Sequence, residues 1–190
     1  MSSEPTKYFI GFLLEGDAAA WHIETAKKIS DTFNTWEIYK KIPPHVTVFQ
    51  TFETKDVVSI KELLEIQSRR VSIPGNLTLS GFDHFENNVV FAKVVDVDVS
   101  IWFVVEQIKK EIKNVLGIAK EKFSVWSPHV TLANHVTPEE IERIWNYVQT
   151  LEQPTFTLPF NNITVFRFEG EQKWVVEQTF RLKTLDEIKN

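Results

Sequence analysis

The amino-acid sequence predicts an α+β fold that is built from two similar halves. Apolar patterns typical of strands and helices follow one another along the 190 residues in the order β, α, β, α, β, β, then α, β, α, β, β. The pattern Pro-His-Val-Thr followed by an aliphatic residue occurs twice, at 44–48 and 128–132, with an offset of 84 residues. Together these observations predict mostly antiparallel hairpins arranged as a duplicated unit.

The first half opens with an apolar run that predicts a buried strand and is too short to span a membrane. In chain order, we expect a strand at 8–14, a helix at 18–33, a short strand at 36–39, the first motif strand up to 52, a helix at 56–69 and hairpin strands at 72–85 and 89–95 around a turn at 86–88.

The second half carries clearer boundary signals. Gly117 predicts the end of a helix, and Thr137 followed by Pro138 and Glu140 predicts the start of another, as N-cap, first position and capping box. In chain order, we expect a helix at 101–116, the second motif strand at 124–134, a helix at 137–151 and a closing hairpin at 155–168 and 173–182.

The offset of 84 residues also aligns apolar positions outside the two motifs. It places Leu79 on Ile163 and Val90 on Trp174, so each half contains a motif strand, a helix and a hairpin. We therefore expect a single two-lobed domain over 1–190, with pseudo-repeats at about 36–95 and 120–182. A pseudo-two-fold axis would then place the motif strands face to face across a cleft.

Each motif presents an imidazole beside a hydroxyl. Because successive side chains of a strand point to opposite faces, His45 shares a face with Thr47, and His129 shares one with Thr131. Histidine exchanges protons near neutral pH, and fixed hydroxyl donors stabilise charge that develops on phosphate oxygens. These four residues are the candidate catalytic residues.

Two aromatic residues are candidates for substrate binding. Phe49 would share the face of the first motif, and Trp126 comes just before the second. Either ring can stack on a nucleobase, and packing in the core is the alternative for both. His22 is expected on the surface or half-buried in a helix. For His84 in a hairpin and His135 just past the second motif we expect surface loops, with the border of the cleft as the alternative.

Composition limits the partners. The net charge of −5 disfavours a protein that tracks the backbone of duplex DNA. The absence of cysteine excludes disulfides, thiolate zinc sites and cysteine nucleophiles, and it agrees with a cytoplasmic protein. We expect a monomer that binds no membrane.

The paired motifs, with Ile42 and Pro43 before Pro44-His45, resemble the two-histidine (2H) phosphoesterase superfamily, in particular the small bacterial branch of the 2′-5′ RNA ligase-like family. The resemblance implies a bilobal fold, with a small antiparallel sheet and outer helices in each lobe. It implies hydrolysis of 2′,3′-cyclic or 2′-5′ phosphodiesters of nucleotides or RNA ends, without metal or cofactor, and a possible reverse ligation. It also implies His45 as general acid and His129 as general base, in roles that the symmetry allows to reverse.

The sequence departs from the family pattern in two places. Phe49-Gln50-Thr51-Phe52 replaces a Phe-Leu-Gly-type continuation after the first motif, and Asn134-His135 stands where a basic residue is frequent. Both departures weaken an inference to long RNA substrates.

Two other functions compete with a phosphodiesterase. A metal hydrolase would use His45, His129, His135 and a carboxylate, but these residues lack the spacing of a ligand cluster. A non-catalytic module that binds nucleotides or RNA ends would need no paired imidazoles, so the two intact motifs favour an enzyme.

Overall fold

The computed structural model describes residues 4–85, 88–118 and 125–183. The elements are β1 (Thr6–Leu13), α1 (Gly16–Phe33), α2 (Ile38–Lys41), β2 (His45–Thr54), α3 (Val57–Arg70), β3 (Asn76–Phe85), β4 (Val89–Val97), α4 (Val99–Leu116), β5 (His129–Asn134), α5 (Pro138–Val148), β6 (Thr155–Pro159), β7 (Asn162–Gly170) and β8 (Lys173–Arg181). The turn expected at 86–88 and the first residue of the strand expected at 124–134 fall partly outside the described residues.

The strands form two four-stranded antiparallel sheets, as expected for an α+β fold. The sheet with strand order β2-β1-β7-β8 contains the first motif and is called the His45 sheet. The sheet with order β5-β4-β3-β6 contains the second motif and is called the His129 sheet. Both motif strands are edge strands, and β2 contacts β5 where the sheets meet.

The helices are exchanged between the two sheets. Helix α1 follows β1 of the His45 sheet but packs on β5 and α5, whereas α4 follows β4 of the His129 sheet but packs on β2 and α3. Each sheet with its covering helices forms a lobe: α3 and α4 belong to the His45 lobe, and α1 and α5 to the His129 lobe. Because of this exchange, α1 and α4 each connect a strand of one sheet to the lobe that contains the other motif strand.

The internal duplication is visible in the structure with a different internal alignment. Strand β1 lies beside β2 as β4 lies beside β5, and α1 and α4 each have 18 residues. Each helix ends at a left-handed residue, Asn34 or Gly117. The spatial equivalent of β4 is therefore β1 rather than β8, so the alignment of Val90 with Trp174 is wrong. Each sheet combines strands from both halves of the chain.

The sequence signals for helix ends correctly predicted one helix terminus and one helix start. Gly117 ends α4 with φ 66°, as expected. Thr137 caps α5: its hydroxyl accepts from the Glu140 backbone N–H, and the Glu140 carboxylate accepts from the Thr137 N–H. Both reciprocal bonds of a capping box are present, which fixes the start of the helix that follows the second motif strand.

Two predicted strands are wrong. The segment at 36–39 leads into helix α2, because the N–H groups of Lys40 and Ile42 bond back to the Glu37 and Ile38 carbonyls. Four residues are too few for a periodic pattern to separate strand from helix. The strand expected at 155–168 is split into β6 and β7, which belong to different sheets. Among the described helices, none is long and apolar enough to cross a bilayer.

Candidate active site

The first motif strand contains a β-bulge immediately after its Thr. Gly11 lies opposite Thr47 and Ile10 lies opposite Phe49, so Val48 has no partner in β1. A bulge of this kind changes which face the following side chains occupy. Val48 and Phe49 are consequently both buried, although they are adjacent in a strand.

The second motif strand contains the same bulge at the same motif position. Phe91 lies opposite Thr131 and Val90 lies opposite Ala133, so Leu132 has no partner in β4. Leu132 and Ala133 are both buried. The two motifs therefore share their backbone geometry as well as their sequence.

The bulge overturns the expectation that Phe49 faces the cleft. Phe49 is 1% exposed and packs in the core, with its ring centroid 5.8 Å from that of Phe52. The next residue, Gln50, lines a cavity beside the motif instead. Two adjacent apolar residues after each Thr were the sequence signal of this change of face.

The two imidazoles are oriented in the same way. His45 Nδ1 lies 2.8 Å from the Pro43 carbonyl oxygen, and His129 Nδ1 lies 2.8 Å from the Ser127 carbonyl oxygen. A carbonyl only accepts hydrogen bonds, so Nδ1 carries the proton in both rings. In the neutral form of each ring, Nε2 is left with its lone pair free for chemistry.

Two phenylalanine rings pack against each imidazole. The His45 ring centroid lies 4.6 Å from Phe9 and 5.3 Å from Phe166. The His129 centroid lies 5.0 Å from Phe91 and 5.1 Å from Phe85. The aromatic packing around the imidazole therefore repeats along with the motif.

Burial lowers the pKa of both imidazoles, because an apolar environment penalises the charged form. The pKa of His45 falls to about 4, mainly through burial, with smaller contributions from the charges of His22 and His129. Burial also lowers the pKa of His129. Both rings are therefore neutral at pH 7 in the free protein. A positive charge on His129 would lower the pKa of His45 further, so the two imidazoles lie within electrostatic range of each other.

Trp126, a candidate for substrate binding in the sequence, connects the two motifs. It is 6% exposed, and its indole Nε1–H donates to the Thr47 carbonyl oxygen over 2.7 Å. Its ring packs edge-on against Trp102 with a centroid distance of 4.8 Å. A residue two positions before the second motif thus holds the backbone of the first.

His22 was expected at the surface or half-buried, and this expectation is wrong. It is 2% exposed, and its Nε2 lies 2.7 Å from the Thr131 carbonyl oxygen. The buried residues of α1 include Ala18, His22, Ala26 and Ile29, which follow helical spacing. A histidine on this apolar stripe was the signal that the sequence offered.

A cavity of about 620 Å³ adjoins the motifs at Thr47 and His129. His45 and Thr131 are not among its lining residues. Its other walls combine aromatic, amide, hydroxyl and amine groups, contributed by Val48, Gln50, Phe85, Asn88, Lys109, Val125, Trp126 and Ser127. Lys109 is 4% exposed and forms an ion pair of 2.8 Å with Glu106. Among the described lining residues, Lys109 places a cation next to the motif residues, together with several hydrogen-bonding groups.

The ligand set of the alternative metal hydrolase is not assembled. Within residues 4–85, 88–118 and 125–183, no cluster of three His, Cys, Asp or Glu side chains has a metal-binding arrangement. His135 packs edge-on against Trp36, with a centroid distance of 5.3 Å, and His84 in β3 packs against Trp145 at 5.1 Å. Neither histidine joins the two motif imidazoles.

Comparison with known proteins agrees with this geometry. A sequence model of the 2′-5′ RNA ligase superfamily matches residues 15–172. The chain belongs to this superfamily. Proteins of Staphylococcus aureus named "Putative phosphoesterase" are 29% identical (strain Newman) and 28% identical (strain MRSA252) over 148 residues, which cover 76% of this chain and 83% of each relative. The two-histidine family expected from the motifs is thus confirmed.

Solved structures of similar proteins share the fold. The protein TT0787 of Thermus thermophilus superposes with a TM-score of 0.68 at 19% identity, over 94% of this chain and 99% of that protein. Escherichia coli LigT complexed with phosphate gives a TM-score of 0.61 at 15% identity, over 96% and 100%. The expected two-lobed α+β architecture is therefore confirmed over nearly the whole chain.

Proposed function

We propose that this protein is a phosphodiesterase that hydrolyses 2′,3′-cyclic phosphates or 2′-5′ linkages in nucleotides or RNA ends by metal-independent acid–base catalysis. The observation that carries the proposal is the matched pair of motifs on two edge strands in contact. Each motif fixes Nδ1 of its histidine on a carbonyl and leaves Nε2 for proton transfer. An acid and a base on opposite sides of one phosphorus are what opening a cyclic phosphodiester requires.

In the proposed reaction, a water oxygen attacks phosphorus and the bond from phosphorus to one ribose oxygen breaks. The neutral imidazole takes a proton from the water at Nε2, and the protonated imidazole gives its Nε2 proton to the departing ribose oxygen. The anionic substrate raises the pKa of both rings, because a nearby negative charge favours the imidazolium. The reaction consumes water and returns both rings to their starting states after proton exchange with solvent.

The structure bears on which imidazole starts as the base. Burial lowers the pKa of His45 to about 4 and also lowers that of His129, so a neutral ring is favoured at both positions. The strong effect at His45 favours His45 as the initial base, whereas the family resemblance favours His129. Because the site is pseudosymmetric, the orientation of the substrate decides between the two.

Thr47 and Thr131 complete the proposed machinery. Each lies two residues after its histidine and before the bulge, so it keeps the face of that histidine. Hydroxyl donors in these positions would stabilise the negative charge of the pentacovalent phosphorus, and one such preorganised donor is worth about 3–4 kcal/mol.

The cavity supports a substrate of nucleotide size. Its volume of about 620 Å³ lies within the range of small-molecule sites. Phe85 and Trp126 supply aromatic surface, and Gln50 and Asn88 supply amides that can hydrogen-bond a base edge. E. coli LigT, which shares the fold, has been solved in complex with 3′-AMP, and this likeness supports a nucleotide substrate here.

The same site would also run in reverse. A 2′,3′-cyclic phosphate end and a 5′-hydroxyl end would then be joined, with the two imidazoles exchanging roles. Water at roughly 55 M competes with the hydroxyl, so hydrolysis is the dominant direction unless a bound 5′ end has a large effective molarity.

The test is incubation with 2′,3′-cyclic nucleotides, cyclic-phosphate RNA, 2′-5′ oligoadenylates and ADP-ribose 1″,2″-cyclic phosphate, followed by identification of products. We expect a 2′- or 3′-phosphomonoester or a cleaved 2′-5′ bond, at a rate that EDTA leaves unchanged. Loss of activity with EDTA would contradict the metal-independent mechanism. Tight binding of the same compounds without any product would identify a non-catalytic binding module.

A further inference from the structure

His22 is a buried ionisable group that the proposed mechanism does not use. It lies on α1, 109 residues before Thr131 of the second motif, and is 2% exposed. Its Nε2 lies 2.7 Å from the carbonyl oxygen of Thr131, which only accepts, so Nε2 carries the proton and donates. His22 is therefore the opposite tautomer to His45 and His129, whose protons are on Nδ1.

The other motif has a matching bond. Trp126 Nε1–H donates to the Thr47 carbonyl oxygen, also over 2.7 Å. In both motifs the held carbonyl belongs to the Thr that immediately precedes the bulge. Each donor lies on a segment joined directly to a strand of the opposite sheet: α1 follows β1, and Trp126 precedes β5. The two motif strands are thus held at equivalent carbonyls by equivalent aromatic N–H donors.

The Thr47 and Thr131 carbonyls lie where the motif strands have the fewest hydrogen-bonding neighbours. Strands β2 and β5 are edge strands, so each has a neighbouring strand on one side only. The bulge after each Thr removes a further regular partner on that side. A hydrogen bond at this peptide restricts the Thr side chain and the imidazole two residues before it.

We propose that His22 is a positioning residue for the second motif: its Nε2–H holds the Thr131 carbonyl and so fixes the direction of the Thr131 hydroxyl and the His129 imidazole. This inference rests on the proposed function. Displacement of a catalytic group by about 1 Å can lower the rate about 100-fold, so a single backbone bond at this peptide is large enough to matter.

The protonation state of His22 agrees with this role. Burial lowers the pKa of His22 to about 4, with the bond to Thr131 opposing that effect, so the ring is neutral at pH 7. Its Nδ1 is buried without a hydrogen-bond partner among the described residues. A neutral ring also places no positive charge near His45, whose pKa the charge of His22 would lower.

The test compares His22→Gln with His22→Asn. The amide nitrogen of glutamine can occupy the place of Nε2, whereas that of asparagine corresponds to Nδ1 and is too short to reach the Thr131 carbonyl. With a phosphodiester that the wild type hydrolyses, we expect His22→Asn to lower kcat about 10–100-fold with KM changed less than about 3-fold. We expect His22→Gln to keep kcat within about 3-fold of the wild type.

The controls separate positioning from folding. Rates are normalised to folded protein by circular dichroism at 25 °C, and ¹⁵N-histidine NMR of the wild type is expected to show the Nε2–H tautomer for His22. If both variants are folded with wild-type kcat, or lose activity equally, the positioning role is overturned. If His22→Asn does not fold, a kcat in His22→Gln more than 10-fold below the wild type overturns it. Absence of any wild-type turnover contradicts the proposed function instead, whereas an Nδ1–H tautomer for His22 contradicts this inference alone.

Discussion

The His45 lobe and the His129 lobe share the same local structure at their motif histidines, but the residues around that structure differ. Both have an edge strand, a bulge after Thr and an Nδ1 proton held by a carbonyl. Gly11 lies opposite Thr47, whereas Phe91 lies opposite Thr131. The cavity is lined by Thr47 and His129 but not by their symmetry mates. In the proposed reaction, the shared features would serve both sides of one phosphorus, and the differences would give an asymmetric substrate a preferred orientation.

The largest expected effect is the loss of either imidazole. His45→Ala and His129→Ala should each lower kcat about 10²–10⁴-fold, because each removes one proton transfer. The matched control is His84→Ala, which removes a histidine of β3 outside the motifs. Steady-state kinetics on a cyclic nucleotide measure the effect. A variant of one motif histidine that keeps more than a tenth of wild-type kcat would break the equivalence of the two lobes.

The second effect is on stability and distinguishes the lobes. The pKa of His45 is lowered from 6.5 to about 4 in the folded protein. Between these values the unfolded chain binds more protons, so stability is present above pH 6.5 and is lost as pH falls towards 4. This histidine alone accounts for a loss of up to about 3 kcal/mol. Urea unfolding at pH 7 and pH 4.5 should show a smaller loss in His45→Gln than in the wild type.

The same experiment on His129→Gln sharpens the comparison. Burial lowers the pKa of His129 as well, but His45 shows the larger shift. We therefore expect His129→Gln to remove less of the pH dependence than His45→Gln. An equal or larger effect of His129→Gln would mean that the His129 imidazole is buried at least as deeply as that of His45, and it would contradict this difference between the lobes.

The third effect comes from filling the space that Gly11 leaves open. An added Cβ would lie 3.0 Å from the Val46 carbonyl oxygen, 3.1 Å from Phe166 and 3.4 Å from His45 Cδ2. Gly11→Ala should therefore displace the Val46 carbonyl and the Phe166 ring that packs against His45 by a few tenths of an ångström. Because both adjoin the imidazole, we expect kcat to fall about 10-fold, in line with the sensitivity of catalysis to position. The control is Thr51→Ala at an exposed position of β2. Wild-type kcat in a folded Gly11→Ala protein would contradict this account of the His45 lobe.

The smallest expected effect is on substrate binding in the cavity. Gln50→Ala should raise KM about 3–10-fold with little change in kcat, because Gln50 lines the cavity and one hydrogen bond is worth about 0.5–1.5 kcal/mol. The neighbouring variant Thr51→Ala should leave KM unchanged. If Gln50→Ala leaves KM unchanged, the substrate does not use this wall of the cavity.

The sequence predicted the parts of the site that depend on local pattern. The strand alternation correctly placed Val46 and Val130 in the core and His45 and His129 on the other face, and the capping signals at Gly117 and Thr137 were correct. Such features are decided by neighbours within four residues, so one sequence contains the information.

The sequence did not predict what depends on partners distant in the chain. Phe49 turns into the core because Val48 has no partner in β1, and the missing partner follows from the register between β2 and β1. The exchange of α1 and α4 between lobes depends on packing that no local pattern records. His22 was missed for the same reason, because its significance lies in the Thr131 carbonyl more than 100 residues away.

The central claim is that both imidazoles act on one phosphate group. The most direct test is a ¹⁵N-histidine NMR titration of the wild type with 3′-AMP, a product of the proposed reaction, with His45→Gln and His129→Gln to assign the signals. We expect both rings to respond over the same concentration range and both pKa values to rise, because one anion lies beside both. If only one ring responds, the two histidines do not share a phosphate and the account is contradicted.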